Sequence, residues 1–254
     1  MIQTHTWFCF FSTRRSGCHA AIKWILALSP APRAHWNDVL PELPLDVKRL
    51  KGDCEDEWRT IISNYETRDL VVVNSNNVEF QEQKYIIHLR DPFNTLASFI
   101  HTFRENHKPV AKILDKWEAY AAEWLGETHV LPSFYKCNYN SWCDSVDYRK
   151  SKAEELGMKF FPHKDKIARN RRAIRGGFFK KGQEGEFAQK DIQVTHNRWK
   201  CAVDRKSWRT LMKRKKLWEY AEAIYPDITR EVIRQTSRPS EPNPRTRSQG
   251  TAPE

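Results

Sequence analysis

The strongest constraint on the fold lies in residues 5–28. "HTWFCFFS" (residues 5–12) is an almost unbroken aromatic run, followed by "TRRSG" and then a helical pattern in which Ile22, Ile25 and Leu26 share a face. A strand without polar alternation has to be covered on both sides, which is the environment of a central strand in a parallel sheet. The helix that follows begins with amides that have no intrahelical partner, and its dipole favours negative charge there. Arg14, Arg15, Ser16 and Gly17 therefore stand at a sheet edge suited to an anion.

Two more apolar runs, "DLVVVNS" (69–75) and "KYIIHL" (84–89), predict further strands. Val110, Ile113, Leu114, Trp117, Tyr120 and Trp124 form a stripe of helical period, and Leu211, Leu217, Tyr220 and Ile224 predict a late helix. Strands alternating with helices imply an α/β architecture, a three-layer sandwich with a central parallel sheet. The 254 residues, 39% hydrophobic and 12% aromatic, suffice for one core, and residues 1–236 are read as a single domain. From residue 237 the text changes to "SRPSEPNPRTRSQGTAPE", which has no large apolar residue and reads as a disordered tail.

A net charge of +11 favours an anionic partner without naming it. The six cysteines (Cys9, Cys18, Cys54, Cys137, Cys143, Cys201) show neither a C-x-x-C pair nor histidines at zinc spacing, so neither a metal site nor a disulfide scaffold is expected. No secretory leader and no bilayer-length apolar run is legible, and the expected location is the cytoplasm.

The loop lacks the G-x-x-x-x-G-K-[S/T] pattern of ATPases: one glycine is present, no lysine follows it, and arginines precede it. A second anion signal comes in "YIIHLRDPFNTLASFIH" (85–101). Here Arg90 ends a strand, Asp91 and Pro92 suit the start of a helix, and Ser98 lies on that helix. A guanidinium fork and a hydroxyl converging outside a sheet edge suit a phosphate monoester.

"TRRSG" followed by "RDPFNTLAS" resembles the two nucleotide-binding motifs of sulfotransferases that use 3′-phosphoadenosine-5′-phosphosulfate (PAPS). "FFKKGQEGEF" (178–187) is similar to that family's late basic-glycine segment, and "HNRW" (196–199) to the piece after it. "RSGCHAAIKW" (15–24) and "NYNSW" (138–142) are similar to small bacterial and phage-like members. The resemblance implies a P-loop nucleotide-hydrolase-like sulfotransferase fold and sulfuryl transfer from PAPS to a hydroxyl or amine, without metal. It assigns Arg14, Arg15, Ser16, Gly17, Cys18 and His19 to the 5′-phosphosulfate, and Arg90, Ser98, Lys180, Lys181 and Gly182 to the 3′-phosphate. Arg15 would stabilise the leaving group, with Arg14 as substitute. For the general base the resemblance points to Glu79, just beyond the second expected strand, with His19 and His101 as alternatives; His88 belongs to its strand.

The chain departs from the family where Cys18 and His19 replace two threonines and Ala20 replaces an adenine-stacking tryptophan, a role left to Phe178 or Phe179. The acceptor half is expected in segments 31–66 and 133–175, with Trp36, Trp58 and Tyr65 among charges, and the positive surface suits an anionic acceptor such as an acidic glycan or peptide. Two other functions fit the same residues: an inactive nucleotide-binding module of this fold, and nucleic-acid binding through the basic stretches 163–181 and 204–216. On the sulfotransferase reading no stable nucleic-acid partner is expected.

Overall fold

The computed structural model of the chain describes residues 6–29, 33–36, 60–70, 83–103, 107–165 and 195–237. Strand β1 (Thr6–Ser12) leads through a tight loop into helix α1 (Cys18–Leu28), followed by β2 (Arg33–Trp36), β3 (Thr60–Glu66) and β4 (Gln83–Leu89). Helices α2 (Pro92–Phe103) and α3 (His107–Leu125), strand β5 (Tyr135–Asn138), and helices α4 (Tyr139–Asp144) and α5 (Val146–Glu155) come next. A 3-10 turn at Arg198–Cys201 precedes α6 (Lys206–Met212), α7 (Lys215–Ile224) and α8 (Pro226–Thr236).

All strand pairings are parallel, and the sheet order is β2-β3-β1-β4-β5. The aromatic run of β1 is thus the centre of the sheet, buried on both faces. Trp7, Cys9 and Phe11 enter one core with α2, α3, α6 and α7, while Phe8 and Phe10 enter the other with α1 and α4. Each such large apolar side chain contributes about 1.5–3 kcal/mol by leaving water. The α3 stripe read from the sequence is wholly buried in the first core. The late helical pattern is two helices rather than one, because it breaks between Met212 and Lys215.

The second expected strand, 69–75, lies for the most part outside the described residues. The strand beside β1 is Thr60–Glu66, and Arg68 and Asp69 lie outside any strand. Polar side chains disguise β3, because they make internal hydrogen bonds: Trp7 Nε1 donates to Ser63 Oγ at 3.1 Å and Ser12 Oγ to Asn64 Oδ1 at 3.3 Å. The tail from residue 238 lies outside the described residues.

Chain direction fixes where a ligand can sit. From the central β1 the chain moves outward to β2 and returns through β3, whereas from the adjacent β4 it moves to β5 on the opposite side. The loops after β1 and β4 therefore part company and leave a crevice at the carboxyl edge of the sheet.

Candidate functional site

The crevice is built from the loop 13–17. The register aligns Ser12 with Glu66 on one side and His88 on the other, so the ends of β3 and β4 flank the loop. Arg15 (φ 69) and Gly17 (φ 84) both adopt the left-handed conformation, a backbone feature of anion-binding loops. For Arg15 this costs about 1–2 kcal/mol. At Gly17 a side chain is excluded twice over, since a Cβ there would stand 2.2 Å from Tyr139 Cε2. No side chain caps α1 and Ala20 N donates to the Gly17 carbonyl at 3.0 Å, so the amides ahead of Ala20 are the ones an anion can use.

Behind the loop, buried His88 holds the backbone in place. Its Nε2 lies 3.2 Å from the Ser16 carbonyl, which accepts, so Nε2 carries the proton and Nδ1, 3.3 Å from Cys137 Sγ, accepts from the thiol. Burial pushes His88 down to about 4, and the ring is neutral at physiological pH.

The second wall is α2. Asp91 caps it, with Asn94 N donating to Asp91 Oδ1 at 2.7 Å, and Pro92 occupies the first helical position. Asn94 and Asn140 donate to the other oxygen at 3.1 and 3.0 Å. Asn94 also ties down a distant segment: its Nδ2 donates to the His196 carbonyl at 2.7 Å, and its Oδ1 accepts from Trp199 N at 3.1 Å.

This scaffold brings three arginines together. Arg15 Nε and Arg198 Nη1 both donate to Ser98 Oγ, at 3.2 and 3.1 Å, and Arg90 Nη1 donates to the Arg15 carbonyl at 3.3 Å. Arg90, 1% exposed, also donates to the Thr195 carbonyl and lies 5.1 Å from the Tyr139 ring centroid. Burial first, then Arg90 and Arg15, push Arg198 down to about 9; burial and Arg90 also lower Arg15. The buried Thr13 Oγ1, Ser16 Oγ and Arg90 Nε have no hydrogen-bond partner among the described residues. Buried like charges and unpartnered donors around one crevice suit the binding of an anion.

The sequence-derived candidates are distributed as follows. Arg15, Ser16, Gly17, Arg90 and Ser98 converge. Arg14 sits on the outer side, its amide donating to Thr67 Oγ1 at 3.1 Å and its Nε 3.8 Å from Glu66 Oε2. Cys18 is buried, with Sγ 3.6 Å from Glu66 Oε1 and 3.3 Å from His19 Nδ1; burial and the Glu66 charge push its thiol up to about 12. His19 is half-buried, and its ring meets that of His35 edge-on at 5.9 Å. Ala20 is buried in the core with α1. His101 is exposed near the end of α2, one turn past Ser98. Tyr65, expected among acceptor-side residues, is core instead, stacked on Phe11 at 5.4 Å. Glu79, Trp58, Phe178, Phe179, Lys180, Lys181 and Gly182 lie outside the described residues, as does the side chain of Trp36.

Two residues of the crevice escaped the sequence reading. Glu66 ends a strand that the apolar runs did not mark. Arg198 lay inside "HNRW", where an arginine next to a tryptophan was the available signal.

Among solved structures the chain is similar to a sulfotransferase domain of a Synechococcus olefin synthase, with a TM-score of 0.56 at 12% identity over 87% of this chain and 95% of that one. It is also similar to a mouse sulfotransferase complexed with PAP, with a TM-score of 0.53 at 16% identity over 92% and 88% of the two chains. No family model and no curated protein matches. The three-layer α/β architecture with its parallel sheet is the sulfotransferase fold.

Proposed function

We propose that the chain is a sulfotransferase that uses PAPS as donor. The observation that carries this reading is the convergence of Arg15, Arg90 and Arg198 around Ser98 beside the uncapped start of α1. A dianionic 3′-phosphate and a 5′-phosphosulfate offer the charge and acceptors that these groups lack. The PAP complex of the mouse protein supports the same choice of nucleotide.

In the transfer an acceptor O–H or N–H attacks sulfur, the bond from sulfur to the bridging oxygen breaks, and the acceptor proton passes to a base. The departing phosphate oxygen gains negative charge, and preorganised cations and N–H donors stabilise that charge most where water is excluded. Arg15, held by Ser98 at the loop, fits this role, and Ser16 and the first amides of α1 complete the cradle. Arg90, Ser98 and Arg198 hold the 3′-phosphate, and the sequence resemblance adds Lys180, Lys181 and Gly182, which lie outside the described residues. Glu66 and His19 stand beside the loop as candidates for the base, and Glu79 is a third. The basic surface favours an acidic acceptor.

Calorimetric titration with adenosine 3′,5′-bisphosphate tests the donor site, with adenosine 5′-monophosphate as control. Micromolar binding that requires both the 3′-phosphate and Arg90 supports the proposal, and labelled PAPS then identifies acceptors. Absence of binding by the folded protein overturns it.

A further inference from the structure

Three side chains beside the loop, two of them the base candidates His19 and Glu66, form a cluster of metal-ligating groups. Cys18 and His19 open α1 and Glu66 closes β3, and one ligand atom from each lies within 4.8 Å of the others. In a tetrahedral zinc site, bonds of about 2.3 Å to sulfur and 2.0–2.1 Å to nitrogen or oxygen place sulfur about 3.5 Å from each neighbouring ligand. The observed separations from Cys18 Sγ are 3.3 Å to His19 Nδ1 and 3.6 Å to Glu66 Oε1. Two of the three separations, both now hydrogen-bond contacts of Cys18 Sγ, therefore already match a tetrahedral ion, and the third lies within 4.8 Å.

We propose that Cys18, His19 and Glu66 bind a divalent transition metal ion of the zinc class, with a fourth position open to water or an anion. A thiolate, an imidazole and a carboxylate select zinc or cobalt over magnesium, which wants oxygen alone. Binding displaces the Cys18 thiol proton to solvent, and thiolate and carboxylate together neutralise the dication. The Arg14 guanidinium, 3.8 Å from Glu66 Oε2, has a side chain about half exposed and can turn away into water. The His35 ring meets that of His19 edge-on at 5.9 Å. The ion would tie the start of α1 to the end of β3, bracing the loop between them.

Cobalt(II) titration of the nucleotide-free full chain tests this, in a Cys54→Ser/Cys201→Ser background that removes Cys54 and the one exposed thiol among the described residues. The expected result is a saturable thiolate-to-cobalt band in the near ultraviolet that zinc abolishes. Cys18→Ser should remove the band, and His19→Ala and Glu66→Gln should weaken cobalt binding at least about tenfold, the lower end of what even outer-shell partners cost. Circular dichroism checks that each variant is folded. No band in the starting protein, a band that survives in Cys18→Ser, or unchanged affinity in both other variants overturns the site. Nucleotide titration in the presence of a chelator reads the donor site separately, so the two proposals fail independently.

Discussion

Replacing Arg198 with methionine should make the protein more stable and worse at binding nucleotide. Arg198 is 8% exposed and pushed down to about 9 by burial and by Arg90 and Arg15. The unfolded chain keeps the ordinary arginine value, so at neutral pH both states are protonated and the penalty is fully present; it fades only as pH rises through about 9. At about 1.4 kcal/mol per pH unit the depression corresponds to several kcal/mol. Replacing buried charges by hydrophobic groups returns about 1–4 kcal/mol, and we expect a gain of about 1–3 kcal/mol in urea unfolding without ligand. Ser98 Oγ keeps its bond from Arg15. Loss of one charge-assisted hydrogen bond, about 1.5–3 kcal/mol, weakens adenosine 3′,5′-bisphosphate binding tenfold or more. At a ligand concentration one hundred times the wild-type Kd, wild type then gains about 2.7 kcal/mol and the variant about 1.4, so ligand narrows the difference. A variant that is less stable with unchanged affinity would refute the reasoning, because Arg198 would then be a structural residue.

Gly17→Ala should lose about 2–5 kcal/mol, since left-handed backbone costs about 1–2 and the clash with Tyr139 about 1–3; denaturant unfolding measures it, and a loss under 1 kcal/mol would contradict the packing. Asp91→Ala should cost about 2–3 kcal/mol through the lost cap and the stranded Asn94 and Asn140 amides, read by the same assay. Because folded His88 sits near 4 and the unfolded ring near its ordinary 6.5, the unfolded state binds more protons between those values. Stability should therefore fall as pH drops from about 6.5 to 4, by up to about 1.4 kcal/mol per pH unit. His88→Gln, which can still donate to the Ser16 carbonyl, should flatten part of that slope in thermal melts. An unchanged slope would mean that the ring is not buried neutral.

The centre of the molecule was legible in the sequence, and its flanks were less so. The aromatic β1 and the apolar β4 announce themselves because both faces are buried, and Asp91-Pro92 marks the start of α2 through backbone chemistry alone. β3 is different: Ser63, Asn64 and Glu66 are polar side chains whose partners come from β1 and α1, so local pattern favours the more apolar residues that follow. Arg15, Arg90 and Ser98 were readable as motif positions, whereas Arg198 joins them because Asn94 and Arg90 bond the chain a hundred residues downstream. A long-range hydrogen bond of that kind leaves no mark on local periodicity.

The place of β1 in the sheet has a consequence for synthesis. Thr6 pairs with Thr60, and Trp7 with both Ile61 and Gln83, so the central strand leaves the ribosome long before either neighbour exists. At about 5–20 residues per second the wait for β4 is about 4–15 s. Throughout it, Trp7, Phe8, Phe10 and Phe11 form an unpaired, uncharged aromatic strand, the kind of segment that seeds aggregation. Recovery of soluble protein should therefore depend on chaperone supply and translation speed more than on the stability of the finished fold.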